Sequence, residues 1–481
     1  MTRTHRIGLP GGATIAGIAT NSCLIVIPRR WLLIVLLYLL TILPVQAQTS
    51  FDGLWRSDGY GMLLEFSGDN LSAAELTSIS CIPSWTARRI STPAGEKGNV
   101  FGGSHGLVRF VNTKSPDAIR MHLDGTVSDI LLRRTANRPK QCAKLPANTP
   151  TADYAIFWQT FDENYPFFAL RKVDWSSIDR RSRGQVTPAT TSAELFRIFQ
   201  RMIEPLQDTH TGLEASDIGQ EFDGWRPTPN DLDEGQWKTA QELIAARYAE
   251  GPLVSFCKGH LQFGTLKHSI GYLRITAFYD YVDMPTYGDR LHALDSALDS
   301  IFKSATTWNG MVIDVRQNHG GDDALGVALA SRFTASRYLA YKKVARESDN
   351  KRLRFTPPEE VWVEPSSRPG FHGRVILLTG SGTVSAGETL AMALMGRGPH
   401  VVRIGLNTQG VFSDVLNRSL PNGWHFHLPN EIYYTGDGKS FDGAGVPPDV
   451  EVPFFSAEDI RAGRDSALDK ALQIIAEHDK R

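Results

Sequence analysis

Two short apolar runs, Met311-Val-Ile-Asp314 and Val375-Ile-Leu-Leu378, are each followed by a glycine-containing turn and then by a helical pattern. With a strand predicted over 270–278 and helices over 291–302 and 324–333, the second half of the chain alternates strand and helix. That order predicts an α/β core, because each element must bury an apolar face against one of the other kind. It also predicts turns where helix N-termini present unpaired backbone amides.

The second of these turns carries a serine. In Gly373-Arg-Val-Ile-Leu-Leu-Thr-Gly-Ser-Gly-Thr-Val-Ser385-Ala-Gly-Glu388 the strand enters a glycine-punctuated turn that leaves Ser385 at the start of an amphipathic helix. There it faces the positive end of the helix dipole, beside amides able to hold a developing oxyanion. The same residues also read as a capping box, with Glu388 three positions after Ser385, and such boxes are commoner than nucleophiles. The first turn, Val315-Arg-Gln-Asn-His319-Gly320-Gly321-Asp-Asp323, reads either as an ordinary strand-to-helix turn or as a second gathering of exposed amides.

A chain of 481 residues accommodates two or three domains. Its formal net charge of -1 gives no field that would draw nucleic acid or an acidic membrane surface, so neither is expected as a partner. Arg29-Arg30, the apolar run from Trp31 to Val45 and the small-residue exit Val45-Gln46-Ala47 read as a secretory signal peptide over 1–47, cleaved after Ala47. Residues 1–28 form a long preface to it, which leaves a later start or a retained anchor as alternatives. The protein is therefore expected to be exported, periplasmic or secreted, with a membrane contact only through an uncleaved leader. In an oxidising compartment Cys81 and Cys142 are able to pair. Cys257 reads as a small buried residue. His425 and His427 share a strand face without a third ligand, which favours a structural role, and no metal or other cofactor is expected.

Residues 48–145 read as a small β-rich domain, with strands near 61–66, 106–111, 118–123 and 129–132 forming an antiparallel sheet or barrel. Residues 151–267 read as a helical segment and loop region. Within it Thr191 and Glu194 cap a helix whose residues Leu195, Ile198, Phe199, Met202, Ile203 and Leu206 follow the helical period. That helix leads directly to Asp208-Thr-His210, where a loop histidine is a candidate base. No glycine-rich carboxylate-binding loop of the PDZ kind is read between 214 and 267. The α/β core spans 268–455, and 456–481 reads as a C-terminal helix.

Four segments in this order resemble the C-terminal processing (tail-specific) serine peptidases: Leu206-Gln-Asp-Thr-His210, Val312-Ile-Asp-Val-Arg-Gln-Asn-His-Gly320-Gly321, Thr383-Val-Ser385-Ala-Gly-Glu388 and Asp442-Gly-Ala-Gly445-Val-Pro-Pro448-Asp449. The resemblance implies a crotonase-like or ClpP-like spiral core with the nucleophile at Ser385. Where one branch of the family has its dyad lysine, this chain has Ile404-Gly-Leu-Asn-Thr-Gln-Gly410-Val-Phe-Ser413, with no lysine. It therefore looks like the tricorn-core branch, which implies His210 as general base and later acid, and Asp442 in place of the family's glutamate, orienting His210 directly or through another group. Gly320 or Gly321, with Ala386, would supply the oxyanion amides, and Glu388 a supporting contact. The turn reads Asp-Thr-His where the family often has Asp-Gly-His, and a histidine precedes the glycine pair. An α/β-hydrolase esterase fits less well, since Gly382-Thr-Val-Ser-Ala-Gly387 lacks the Gly-x-Ser-x-Gly elbow. The expected activity is peptide-bond hydrolysis through an acyl-enzyme on a peptide or protein substrate. The rival expectation is a catalytically silent binder of peptides or apolar ligands on the same fold.

Overall fold

A computed structural model describes residues 51–92, 98–103, 106–227, 232–283, 286–347 and 353–478. The expected signal peptide lies outside them. The first strands form an eight-stranded closed barrel, running from Gly53–Ser57 to Ile130–Thr135. Its first and last strands pair antiparallel, Leu54 opposite Thr135, so that no strand edge is left open. Alternate residues point inward, and Trp55, Leu64, Phe66, Phe101, Phe110 and Met121 fill the interior. The Cys81–Cys142 disulfide forms and ties the segment leaving the barrel back to one of its strands.

Thr149 caps the helix Pro150–Asn164, with proline at its first position. The helix Ser192–Ile203 carries the expected Thr191/Glu194 capping box, and its apolar stripe is buried. Phe199 stacks on Phe157 with ring centroids 4.1 Å apart. The region 151–267 is more than helix and loop, because it also contains four strands. Two of them, Gly212–Ala215 and Gln220–Asp223, join the hairpin Val415–Ser419/His425–Pro429 in a four-stranded sheet. That pairing brings the chain just after His210 against residues two hundred positions later, Gly212 opposite His427.

The main sheet has seven strands in the order Val254–Phe256, Leu261–Leu266, Ile270–Ile275, Gly310–Asp314, Val375–Thr379, Val401–Gly405 and Val450–Glu451. From Ile270 onward every neighbour is parallel. Strands buried on both faces explain the unbroken apolar runs. Met311, Ile313, Val375 and Leu377 face the helices Tyr287–Phe302, Asp323–Ala330 and Ala386–Ala393, while Val312, Ile376 and Leu378 face Glu234–Arg247 and Ser466–His478. The C-terminal segment is two helices, Ala457–Ala462 and Ser466–His478, separated by Gly463 in a left-handed conformation. Between them the buried Asp465 meets Arg316 at 2.8 Å, and Arg316 also grips Asp314 at 2.7 Å, which fixes the strand end that leads into the Gly320 turn.

Candidate active site

Ser385 follows the short strand Gly382–Thr383, which pairs in parallel with Gln317–Asn318. The two glycine-bearing turns read from the sequence therefore lie side by side. Ser385 adopts φ 54° and ψ −120°, a left-handed conformation that an L-residue takes only when its surroundings enforce it, at a cost of about 1–3 kcal/mol. The enforcement is visible. The Val384 N–H donates to Asn318 O at 2.9 Å and the Ser385 N–H to Val411 O at 3.1 Å. Although the turn lacks the Gly-x-Ser-x-Gly signature, the serine sits on the same kind of sharp strand-to-helix bend.

The capping box is present in outline: the Ser385 N–H donates to Glu388 Oε2 at 3.3 Å and the Ser385 side chain lies against the Glu388 amide, whose N–H donates to the Ser385 carbonyl at 2.8 Å. Glu388 is fully buried and accepts from Thr408 Oγ1 at 2.5 Å, the Gly410 N–H at 2.6 Å, the Val411 N–H at 2.8 Å and the Ser385 N–H at 3.3 Å. Burial outweighs these donors and pushes its carboxyl up to about 7. Its position makes it the clasp between the serine helix and the loop 408–411.

Gly320 and Gly321 both have positive φ, +81° and +125°. A β-carbon on Gly321 would lie 2.5 Å from the Phe278 carbonyl, so only glycine allows that approach. The Gly320 N–H is already engaged, donating to Asn318 Oδ1 at 3.0 Å. Among the described residues the Gly321 and Ala386 amides have no such partner, which narrows the three expected oxyanion donors to two. Asn318, fully buried and also donating to Ile275 O at 3.1 Å, is a supporting residue that sequence reasoning missed.

The loop 408–414 joins the two halves of the site. Gln409 donates its N–H to Thr383 O at 3.0 Å and accepts from Thr209 Oγ1 at 2.8 Å. Val411 O accepts the Ser385 N–H at 3.1 Å, so the loop that holds the serine turn is the one that Thr209, next to His210, reaches through Gln409. The structure thus brings Ser385 and His210 to one loop, and they share no hydrogen bond among the described residues. Among the described residues His210 Nδ1 is buried without a hydrogen-bond partner. Burial pulls the imidazole below its usual pKa, partly offset by the carboxylates of Asp208 and Asp414.

Asp442 is not bonded to His210. Its Oδ2 accepts from Ser440 Oγ at 2.8 Å and the Tyr433 N–H at 3.4 Å, its Oδ1 is buried and unpartnered, and burial raises its carboxyl to about 7. The carboxylate bonded to position 210 is Asp208, which accepts the His210 backbone N–H at 3.1 Å and is itself held by Tyr165 Oη at 2.8 Å and Arg171 at 3.6 Å. Asp208 stands in the quoted Asp-Thr-His run, and its signal was the turn itself. His427 packs flat on Gly212, as a structural strand residue would, and His425 lies 3.3 Å from Ser419 Oγ. Cys257 is half-buried, with its thiol pushed up to about 12. Among the described residues no group of three or more His, Cys, Asp or Glu is placed to hold a metal ion, and no helix is long and apolar enough to cross a membrane.

Comparison with known proteins gives the same region. The peptidase family S41 model matches residues 269–452, and the tricorn protease C1 domain matches 146–204. A carboxy-terminal-processing protease of Bartonella bacilliformis is 24% identical over 271 residues, covering 52% of this chain and 58% of that protein. The tricorn protease of Thermoplasma acidophilum is 24% identical over 179 residues, which is 37% of this chain and 15% of that one. The chain thus spans about three-fifths of the first relative and a small part of the second. A solved structure from Parabacteroides merdae, described as being of a candidate peptidase, is 25% identical with a TM-score of 0.58, covering 68% of this chain and 97% of that one. Mature CPAF complexed with lactacystin shares the fold at 13% identity and a TM-score of 0.51, over 68% of this chain and 98% of that one.

Proposed function

We propose that this chain, whose residues 269–452 match the peptidase family S41 model and 146–204 the tricorn protease C1 domain, is a serine peptidase acting on peptide or protein substrates through Ser385. The observation that carries this reading is the strained conformation of Ser385 at a helix start, against the Gly320–Gly321 turn, with the Gly321 and Ala386 amides unpartnered among the described residues. A residue meant only to cap the helix has no need of that strain.

In the proposed reaction His210 accepts the Ser385 hydroxyl proton as Oγ attacks the scissile carbonyl carbon. The Gly321 and Ala386 amides stabilise the oxyanion, and His210 then protonates the leaving amine. Water, activated by the same imidazole, releases the acyl group. Glu388 positions the serine turn and the loop 408–411, Asp208 holds the His210 loop, and Asp442 contributes through the buried environment it shares with Glu388. The parallel run of the main sheet supports the finer reading of the core as a crotonase-like spiral. The Cys81–Cys142 disulfide supports export through the leader, since such bonds persist in oxidising compartments.

One observation favours the rival reading of a silent binding protein: Ser385 and His210 are not hydrogen-bonded. Catalytic contacts are often loose before substrate binds. The deciding experiment is fluorophosphonate labelling of the purified protein, read by intact mass, with Ser385→Ala and His210→Ala alongside. One adduct, lost in Ser385→Ala and slowed at least about 10³-fold in His210→Ala, is expected. No adduct on folded wild-type protein would overturn the peptidase in favour of the binder.

A further inference from the structure

Both family matches leave out the barrel, residues 53–135, yet the barrel is built into the site. Its turn at Gly125 is seated on the start of the helix Asp323–Ala330: a β-carbon on Gly125 would lie 2.9 Å from Asp322 Oδ1, and the Ala324 N–H reaches Gly125 O at 3.4 Å. Asp322 directly follows Gly321. On the other side Tyr60 donates to Glu431 at 2.5 Å, and Glu431 meets Lys343 at 3.0 Å. Lys343 in turn holds Asp414 at 2.9 Å, and Asp414 ends the loop 408–414, whose Val411 O accepts the Ser385 N–H and whose Gln409 accepts from Thr209 Oγ1, next to His210.

Between these two attachments lies a cavity of about 160 Å³. Met62, Leu123 and Ile130 of the barrel and Val415 and Leu416 of the core give it mostly apolar walls. The cavity is well below the roughly 300–1,000 Å³ of small-molecule sites. It is close to the roughly 150 Å³ that takes a benzene-sized guest. The Lys343 charge is already met by Asp414 and Glu431, so the floor offers no free cation, and the part-exposed Asp414 opposes an acidic guest.

We propose that this cavity is a specificity pocket for one uncharged apolar side chain of the substrate, of leucine, methionine or phenylalanine size, and that the barrel acts as its outer wall. The proposal rests on the peptidase reading. The attachments tie the pocket's walls to the helix that follows Gly321 and to the loop 408–414 that holds the Ser385 amide, and a residue flanking the scissile bond is the one proposed to enter it.

The test uses the full chain, with Met62→Trp to fill the pocket and Leu123→Ala to enlarge it, thermal unfolding as a check on folding, and fluorophosphonate labelling to count active sites. Peptides differing only at one residue (Ala, Leu, Phe or Asp) are digested, and the ratio of kcat/KM between them is read by mass spectrometry. Wild type should favour Leu and Phe over Asp. Met62→Trp should shift the Leu-to-Ala ratio at least about 10-fold towards Ala, and Leu123→Ala should shift the Leu-to-Phe ratio towards Phe. Ratios unchanged in both folded variants, or a wild-type preference for Asp, would overturn the pocket while leaving the peptidase intact. Wild type that neither labels nor cleaves would remove the peptidase reading, and this inference with it.

Discussion

Gly320 lies directly against Ser385: a β-carbon at position 320 would stand 2.6 Å from the Ser385 β-carbon and 3.1 Å from its Oγ. The Ser385 β-carbon is fixed to its backbone, so one of the two turns would have to move, and the Gly320 φ of +81° disfavours any side chain in addition. Gly320→Ala is therefore expected to lower fluorophosphonate labelling of Ser385 by at least about 100-fold. Gly326→Ala is the control. That helical glycine has only ordinary contact, 3.6 Å to Ala386 O, and the change should leave labelling alone and stabilise by roughly 0.5–1 kcal/mol in a denaturant titration.

Glu388 uses both carboxylate oxygens, Oε1 for Thr408 and the Gly410 N–H, Oε2 for the Val411 and Ser385 N–H groups. A glutamine has only one acceptor oxygen, and its amide would oppose two donors. Glu388→Gln should cost about 2–4 kcal/mol in unfolding experiments and lower kcat more than it raises KM, because the loop 408–411 that holds the Ser385 amide loosens. Glu388→Asp should recover part of the stability, and equal loss in both variants would argue against the clasp.

Much of this site was legible because its signals are local. The Thr191/Glu194 cap, the apolar strands and the two glycine turns depend on neighbours in the chain. Parallel pairing of Gln317–Asn318 with Gly382–Thr383 then places the turns together. Four barrel strands were missed: Gly53–Ser57, Asn70–Leu76, Cys81–Ile90 and Asn99–Gly103. Cys81–Ile90 has few buried residues and shows little alternation, so its place is set by the ring of partners rather than by its own pattern. The role of Glu388 was hidden by its fit to a capping box, and its partners Thr408 to Val411 come from a distant loop. Asp442 was placed by family position, and the geometry gives it Ser440 and Tyr433 as partners instead.

The pH profile follows from His210. Its pKa is lowered by burial, so the neutral imidazole needed as a base persists to lower pH than for an exposed histidine. Measured as kcat/KM, activity should rise with pH and reach half its plateau below the ordinary value of about 6.5. Asp442→Asn is expected to leave that first rise in place, since Asp442 is not bonded to the ring. A midpoint well above 6.5 in wild type that falls in Asp442→Asn would instead make Asp442 the charge that His210 senses.

The disulfide closes a chain segment with a sequence separation of 61 between Cys81 and Cys142. Loop-closure entropy for a segment of that length corresponds to about 4 kcal/mol, and measured values typically fall to 2–4 kcal/mol. The Cys142→Ser variant should therefore unfold at lower denaturant than wild type, and a reducing agent should lower wild type to the same midpoint without moving the variant. The bond anchors a barrel strand, whereas Ser385 is held by Asn318, Val411 and Glu388. If the barrel only walls a pocket, the reduced protein below its midpoint should keep labelling at Ser385 while its preference among peptides weakens. Loss of labelling in step with reduction would mean that the barrel also holds the nucleophile in place.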